Sequence, residues 1–107
     1  MTPRQGEVWW ADEREKRRPV LVVTRSDVIS KLSRVVVAPV TRTVRGLPTE
    51  IELDERDGLR ERSAASFDNL RLVPTRSLTT RIGDAGAARR AQICRALSAL
   101  ADCPALR

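Results

Sequence analysis

The order of apolar and polar positions divides the chain into a strand-rich body and one terminal helix. Residues 7–11 (EVWWA) read as a first strand, with Trp9 and Trp10 on opposite faces. Residues 18–24 (RPVLVVT) form a nearly continuous apolar run, the pattern of a strand covered on both faces. Arg34–Thr41 (RVVVAPVT) is a second such run, in which Pro39 signals an edge or a bulge. Residues 49–54 alternate Ile51 and Leu53 with acids, so one face of that strand should be wet. Two further short strands are expected over 63–67 and 70–73. The pairs Arg45-Gly46, Asp57-Gly58 and Val73-Pro74 supply turns between these elements. Residues 26–32 can form one helical turn. Asp84, after Gly83, is placed to cap a helix over about 85–102 that Pro104 ends. Ile93, Leu97, Leu100 and Ala101 share one face of that helix. Many short strands and one helix predict an α+β, mostly β fold: a small β-barrel with the helix packed on it.

Length and composition narrow the class. A chain of 107 residues fits a single domain, taken here as 1–107, with a core large enough to fold unaided. No run of apolar residues is long enough to span a membrane, and residues 1–5 lack the apolar stretch of a secretory signal. The only cysteines, Cys94 and Cys103, build neither a disulfide framework nor a zinc site. They read as reduced residues of a cytoplasmic protein, with Cys94 expected to be a small buried apolar side chain. There is no His, which removes triad hydrolases, His-ligated metals and the two-histidine route to RNA cleavage. The net charge is +6, carried by 18 Arg and two Lys, which favours a polyanionic partner and suits bidentate contact with phosphate. Six acids gather between Glu50 and Glu61; that segment should lie apart from the basic surface, or be a plain solvated face.

Three ordered pieces carry a resemblance. Gln5-Gly6-Glu7-Val8-Trp9-Trp10 opens the chain, Arg17-Arg18-Pro19-Val20-Leu21-Val22-Val23 follows, and Val36-Val37-Ala38-Pro39-Val40-Thr41 closes the third strand. In that order and spacing they resemble the MazF/PemK family of toxin endoribonucleases. Residues 46–51, 63–71 and 78–83 resemble it too, so the likeness covers about 6–100. The resemblance implies an SH3-like barrel, usually a homodimer, that cleaves single-stranded RNA at short sequences without a metal or other cofactor. It implies 2′,3′-cyclic phosphate and 5′-hydroxyl ends, and growth arrest. The implied partners are RNA and a cognate antitoxin with a flexible acidic tail. The family's catalytic Arg maps onto Arg18 and its catalytic Thr onto Thr41.

Those residue types suit the reaction. RNA brings its own nucleophile, the 2′-hydroxyl. The enzyme must align it, neutralise charge on the phosphorane and help the 5′-oxygen leave. A guanidinium holds two non-bridging oxygens at once, which suits Arg18 to charge stabilisation. Proton donation is the weaker role, because a guanidinium holds its proton far too tightly to give it up readily at neutral pH. Thr41 can give its hydroxyl hydrogen to a phosphoryl oxygen. The base stays open among a second Arg, a carboxylate and water. Arg14, Lys16 and Arg17, in the short link between the first two strands, are candidates for phosphate contacts. Asn69 and Arg71 are candidates to read a base edge or hold the RNA backbone, and Trp10 to stack a base. Thr43 has the same strand parity as Thr41. The link 12–17 is shorter than the family's and has no Gly, which bears on the RNA sequence cut more than on the chemistry.

Two rivals belong to other classes. A non-enzymatic toxin of the same fold acting on DNA gyrase would rely on the end of the terminal helix, where residues 102–107 carry no aromatic. A plain nucleic-acid-binding barrel without catalysis fits the composition equally well.

Overall fold

The computed structural model describes residues 2–14 and 16–101. Seven strands form one strongly coiled sheet: β1 (Glu7–Glu13), β2 (Lys16–Val22), β3 (Arg34–Thr41), β4 (Glu50–Leu53), β5 (Ser63–Ser66), β6 (Arg71–Pro74) and β7 (Leu78–Asp84). The order is β4-β5-β3-β2-β1-β7, with β6 also paired to β3. Every pairing is antiparallel. A one-turn helix α1 (Ser26–Ile29) links β2 to β3, and helix α2 (Gly86–Leu100) follows β7. The mostly β half-barrel with a C-terminal helix matches the fold class expected from the pattern.

The two apolar runs are buried on both faces. Leu21 and Ala38 enter one core with Val8, Ile51, Leu53, Phe67, Ile93 and Ala96. Their neighbours Val20, Val22, Val35 and Val37 enter a second core with Trp9, Ala11, Ile29 and Val73. Helix α2 covers the first face and α1 the second. Pro39 stands where β3 changes partner, from β6 (residues 34–37) to β5 (residues 40 and 41). A residue without an N–H belongs at such a break.

Two closures shape the sheet. Beside the first, Asp57 is 3% exposed and accepts from Arg89 Nη2 at 2.9 Å, which pins the turn after β4 to α2. There the backbones of Gly58 and Gly83 touch: a Cβ on Gly83 would sit 2.1 Å from the Asp57 carbonyl oxygen. Thus β7 meets the turn after β4 through glycine backbone, and no β4–β7 ladder is needed. The second closure is Glu7, 2% exposed. It accepts from Arg4 N–H (2.7 Å), Trp9 Nε1–H (3.1 Å) and Arg81 Nη1 (3.0 Å), which holds the N-terminal segment to β7.

Several local expectations need correction. Strand β1 runs on to Glu13 and β2 already begins at Lys16. Glu13 pairs with Lys16 and Asp12 with Arg17, so the charged residues continue the ladder with opposite charges opposed. Arg14 takes a positive φ of 54° at the tip. Residues 78–84 form an edge strand that the hydrophobic pattern does not announce. On α2, Ile93 and Ala96 are buried, while Leu100 is 43% exposed. The helix begins at Gly86, although Asp84 does accept from the Gly86 N–H at 2.8 Å. Cys94 is exposed rather than buried, because it is turned away from the Ile93 face. Cys103 and Pro104 lie outside the described residues. No helix among the described residues is long and apolar enough to cross a membrane.

Candidate active site

The β2–β3 register, carried past its last pair, lines Arg18 up with Thr41. The β2–β3 ladder pairs Val20 with Pro39, Leu21 with Ala38 and Val22 with Val37. Continuing it by two residues sets Arg18 across from Thr41. The ladder itself stops at Pro39, which has no N–H to give. Arg18 and Thr41 share strand parity with Val20, Val22, Val35 and Val37, so they continue the face of the second core beyond its apolar end. Both are exposed.

Thr41 is oriented from its own strand end. Its Oγ1 accepts from the Thr43 N–H at 3.2 Å, a role that does not use the hydroxyl hydrogen. The strand ends at Thr41, so Thr43 contributes a backbone donor, not a second hydroxyl of the same parity.

The same face carries an ion pair that the sequence does not signal. Arg71 Nη1 donates to Glu13 Oε2, across 58 residues of chain. Arg71 stands beside Val37 on the sheet, and Val37 beside Val22. Glu13 is at the far end of β1. Only a sheet that curls the β1–β2 tip over toward β6 can join them. The Glu13 side chain is 17% exposed, and its other oxygen, Oε1, is buried without a hydrogen-bond partner. Glu13 was missed because it sits in a charged link, and nothing local distinguishes it from Asp12.

The remaining candidates do not form one surface. Lys16 shares parity with Arg18. Arg17 and Trp10 are on the other side of the sheet, where the Arg17 guanidinium lies 4.6 Å from the Trp10 ring centroid. Trp9 is core at 4% exposure, and Trp10 is half-buried. Asn69 Nδ2 donates to Ser66 Oγ at 2.9 Å, which ties down its side-chain amide. The acidic segment is largely neutralised in place. Arg62 holds the Glu52 carboxyl below the usual carboxylate range, and Arg56 does the same for Asp54. Two surface clefts lie elsewhere. One, of about 570 Å3, is bounded by Arg4, Arg25 and Arg90; the other, of about 390 Å3, by Trp9 and Thr79–Arg81 positions of β7.

Residues 4–101 match the family model of PemK-like, MazF-like toxins of type II toxin–antitoxin systems. The chain is 41% identical over 103 residues to the probable endoribonuclease MazF5 of Mycobacterium tuberculosis, covering 94% of each. It superposes on the Mycobacterium tuberculosis toxin MazF-mt6 with a TM-score of 0.83 at 38% identity, covering 90% of this chain and 96% of that one. It also resembles a MazF crystallised with MazE from Deinococcus radiodurans, with a TM-score of 0.77 at 25% identity over 94% of this chain and 95% of that one. The level pair Arg18 and Thr41 thus sits on a half-barrel shared with these proteins over nearly its whole length, and the chain belongs to the PemK-like, MazF-like family of type II toxin–antitoxin toxins.

Proposed function

We propose that this toxin endoribonuclease cuts single-stranded RNA at the open end of the β2–β3 face, with Arg18 and Thr41 as the residues that touch the scissile phosphate. The observation that carries the reading is the register that sets Arg18 level with Thr41 on one exposed face. Arg18 receives two non-bridging oxygens and neutralises the phosphorane. Thr41, held through its Oγ1, donates its hydroxyl hydrogen to a phosphoryl oxygen and fixes the phosphorus in line with the 2′-hydroxyl. Glu13 is held on this face by Arg71, and a water takes the 2′-hydroxyl proton. A water protonates the departing 5′-oxygen. The products are a 2′,3′-cyclic phosphate and a 5′-hydroxyl, and the chemistry draws on no metal.

The same reading includes a homodimer, a cytoplasmic setting and neutralisation by an antitoxin whose acidic tail competes with RNA for the basic face. The pairing with MazE in the Deinococcus radiodurans relative supports that partner. The test is incubation of pure protein with mixed RNA in excess EDTA, followed by mapping of the ends. Discrete cuts with cyclic-phosphate and 5′-hydroxyl ends are expected. Binding without cutting would replace the reading with a nucleic-acid-binding barrel.

A further inference from the structure

The cleft of about 570 Å3 between the N-terminal segment, α1 and α2 has no part in the cleavage chemistry. Its lining is Arg4, Gln5, Arg25, Ser26, Asp27 and Arg90. Three guanidiniums face one carboxylate there, and Asp27 is engaged by Arg25 at 3.5 Å. Arg4 and Arg90 have no ion-pair partner among the described residues. Arg89, the neighbour of Arg90, turns the other way and is spent on Asp57.

The floor of the cleft is held by short backbone contacts. Gln5 N–H donates to Ser26 Oγ at 2.8 Å, and Gln5 Nε2 donates to the Val23 carbonyl at 2.9 Å. Gly6 N–H donates to the Val22 carbonyl at 2.8 Å, and a Cβ on Gly86 would sit 2.8 Å from the Gln5 carbonyl oxygen. The three Arg side chains therefore project from elements fixed to one another. A concave site with excess guanidinium charge, a hydroxyl and an amide has the chemistry of a phosphate cradle.

We propose that this cleft is a second phosphodiester-binding site, which holds substrate RNA away from the scissile bond. It rests on the RNA-cleaving reading for the identity of the polyanion. Arg25 lies seven residues along from Arg18, at most about 23 Å at ~3.3 Å per extended residue. A single strand bound at Arg18 and Thr41 can span to the cleft once it is long enough to cover that distance. The site therefore favours long, unstructured RNA over short fragments.

The test is the affinity of the Arg4→Ala/Arg90→Ala double variant for a 2′-O-methyl RNA of about 20 nucleotides, titrated over a range of salt. Arg60→Ala, an exposed Arg elsewhere, is the charge control. The double variant should bind roughly tenfold more weakly at low salt, with a log–log salt slope shallower by about 1.4, two contacts at ~0.7 each. Inorganic phosphate titrated into the intact protein should shift the Gln5 and Ser26 amide resonances; a shift without the change in RNA affinity would reassign the cleft to a free phosphate and overturn the RNA site. A double variant indistinguishable from Arg60→Ala would also overturn it. So would poly-glutamate binding that depends on Arg4 and Arg90 while RNA affinity does not, which would make the cleft a contact for an acidic protein. Because the RNA is non-cleavable, failure of the cleavage reading leaves this test intact.

Discussion

At the scale of single residues, the site is read from chemistry that survives substitution differently at each position. Arg18→Ala is expected to lower the cleavage rate by about 10^2–10^3 or more, because it removes the guanidinium fork that neutralises the phosphorane. Arg18→Lys should recover little, since an ammonium is a point charge. Thr41→Ala should also be strongly impaired, while Thr41→Ser keeps a hydroxyl and should retain much of the rate. Single-turnover kinetics with circular dichroism separates these losses from unfolding; wild-type rates in both alanine variants would remove the assignment. Glu13→Gln removes the charge paired with Arg71 and should tighten RNA binding with the cleavage step little changed, measured by affinity and single-turnover rate. A lower rate at unchanged affinity would instead make Glu13 the base. Glu7 is a contrasting carboxylate. It is buried and fully engaged with Arg4, Trp9 and Arg81, so Glu7→Ala should cost about 2–4 kcal/mol by urea unfolding without a specific effect on chemistry.

At the scale of elements, the turn after β4 decides how the half-barrel closes. Gly83→Ala puts a methyl into the Asp57 carbonyl, and the backbone there has no flexible side chain to yield. A loss of at least about 2 kcal/mol is expected, measured as a fall in the urea midpoint. The strand β4 and its neighbours also carry the acid sensitivity. The Glu52 and Asp54 carboxyls titrate below their ordinary values because Arg62 and Arg56 hydrogen-bond their charged forms. A depressed folded pKa means a contribution that is complete above the unfolded value and is lost as pH falls through the folded one. Stability should therefore decline as the solution is taken below about pH 4.5, and Arg62→Ala should flatten part of that decline. Both pairs are exposed, so the effect is small and screened by salt. The β1–β2 hairpin shows how far local reading went. The strands are legible from EVWWA and RPVLVV, but the run of charges in residues 12–17 reads as a short link, whereas complementary cross-strand charges carry the ladder to Glu13 and Lys16.

At the scale of the whole molecule, the +6 charge sets the response to salt. RNA affinity should fall steeply as ionic strength rises, and a flat response would argue against phosphate contacts from the basic residues. The unevenness of the charge also matters. Asp54, Asp57, Glu52 and Glu61 each have an Arg partner, whereas Arg18, Lys16, Arg4 and Arg90 have no ion pair among the described residues, so the β2 end and the cleft are two of the places that carry positive excess. The candidate RNA contacts split because strand alternation sends Arg17 and Trp10 to one face and Lys16 and Arg18 to the other.

The sequence by itself determined the elements with strong apolar runs and the family resemblance, and it named Arg18 and Thr41 as the catalytic candidates. Each is local, since a run of valines or an Arg-Pro-Val motif keeps its meaning wherever the chain goes. Tertiary structure alone decided that Arg18 lies level with Thr41, that Glu13 meets Arg71, that β7 is an edge strand and that three arginines share one cleft. These depend on register between strands and on the coil of the sheet. Both arise from side-chain packing and backbone contacts such as Gly58 against Gly83, which no stretch of contiguous residues records.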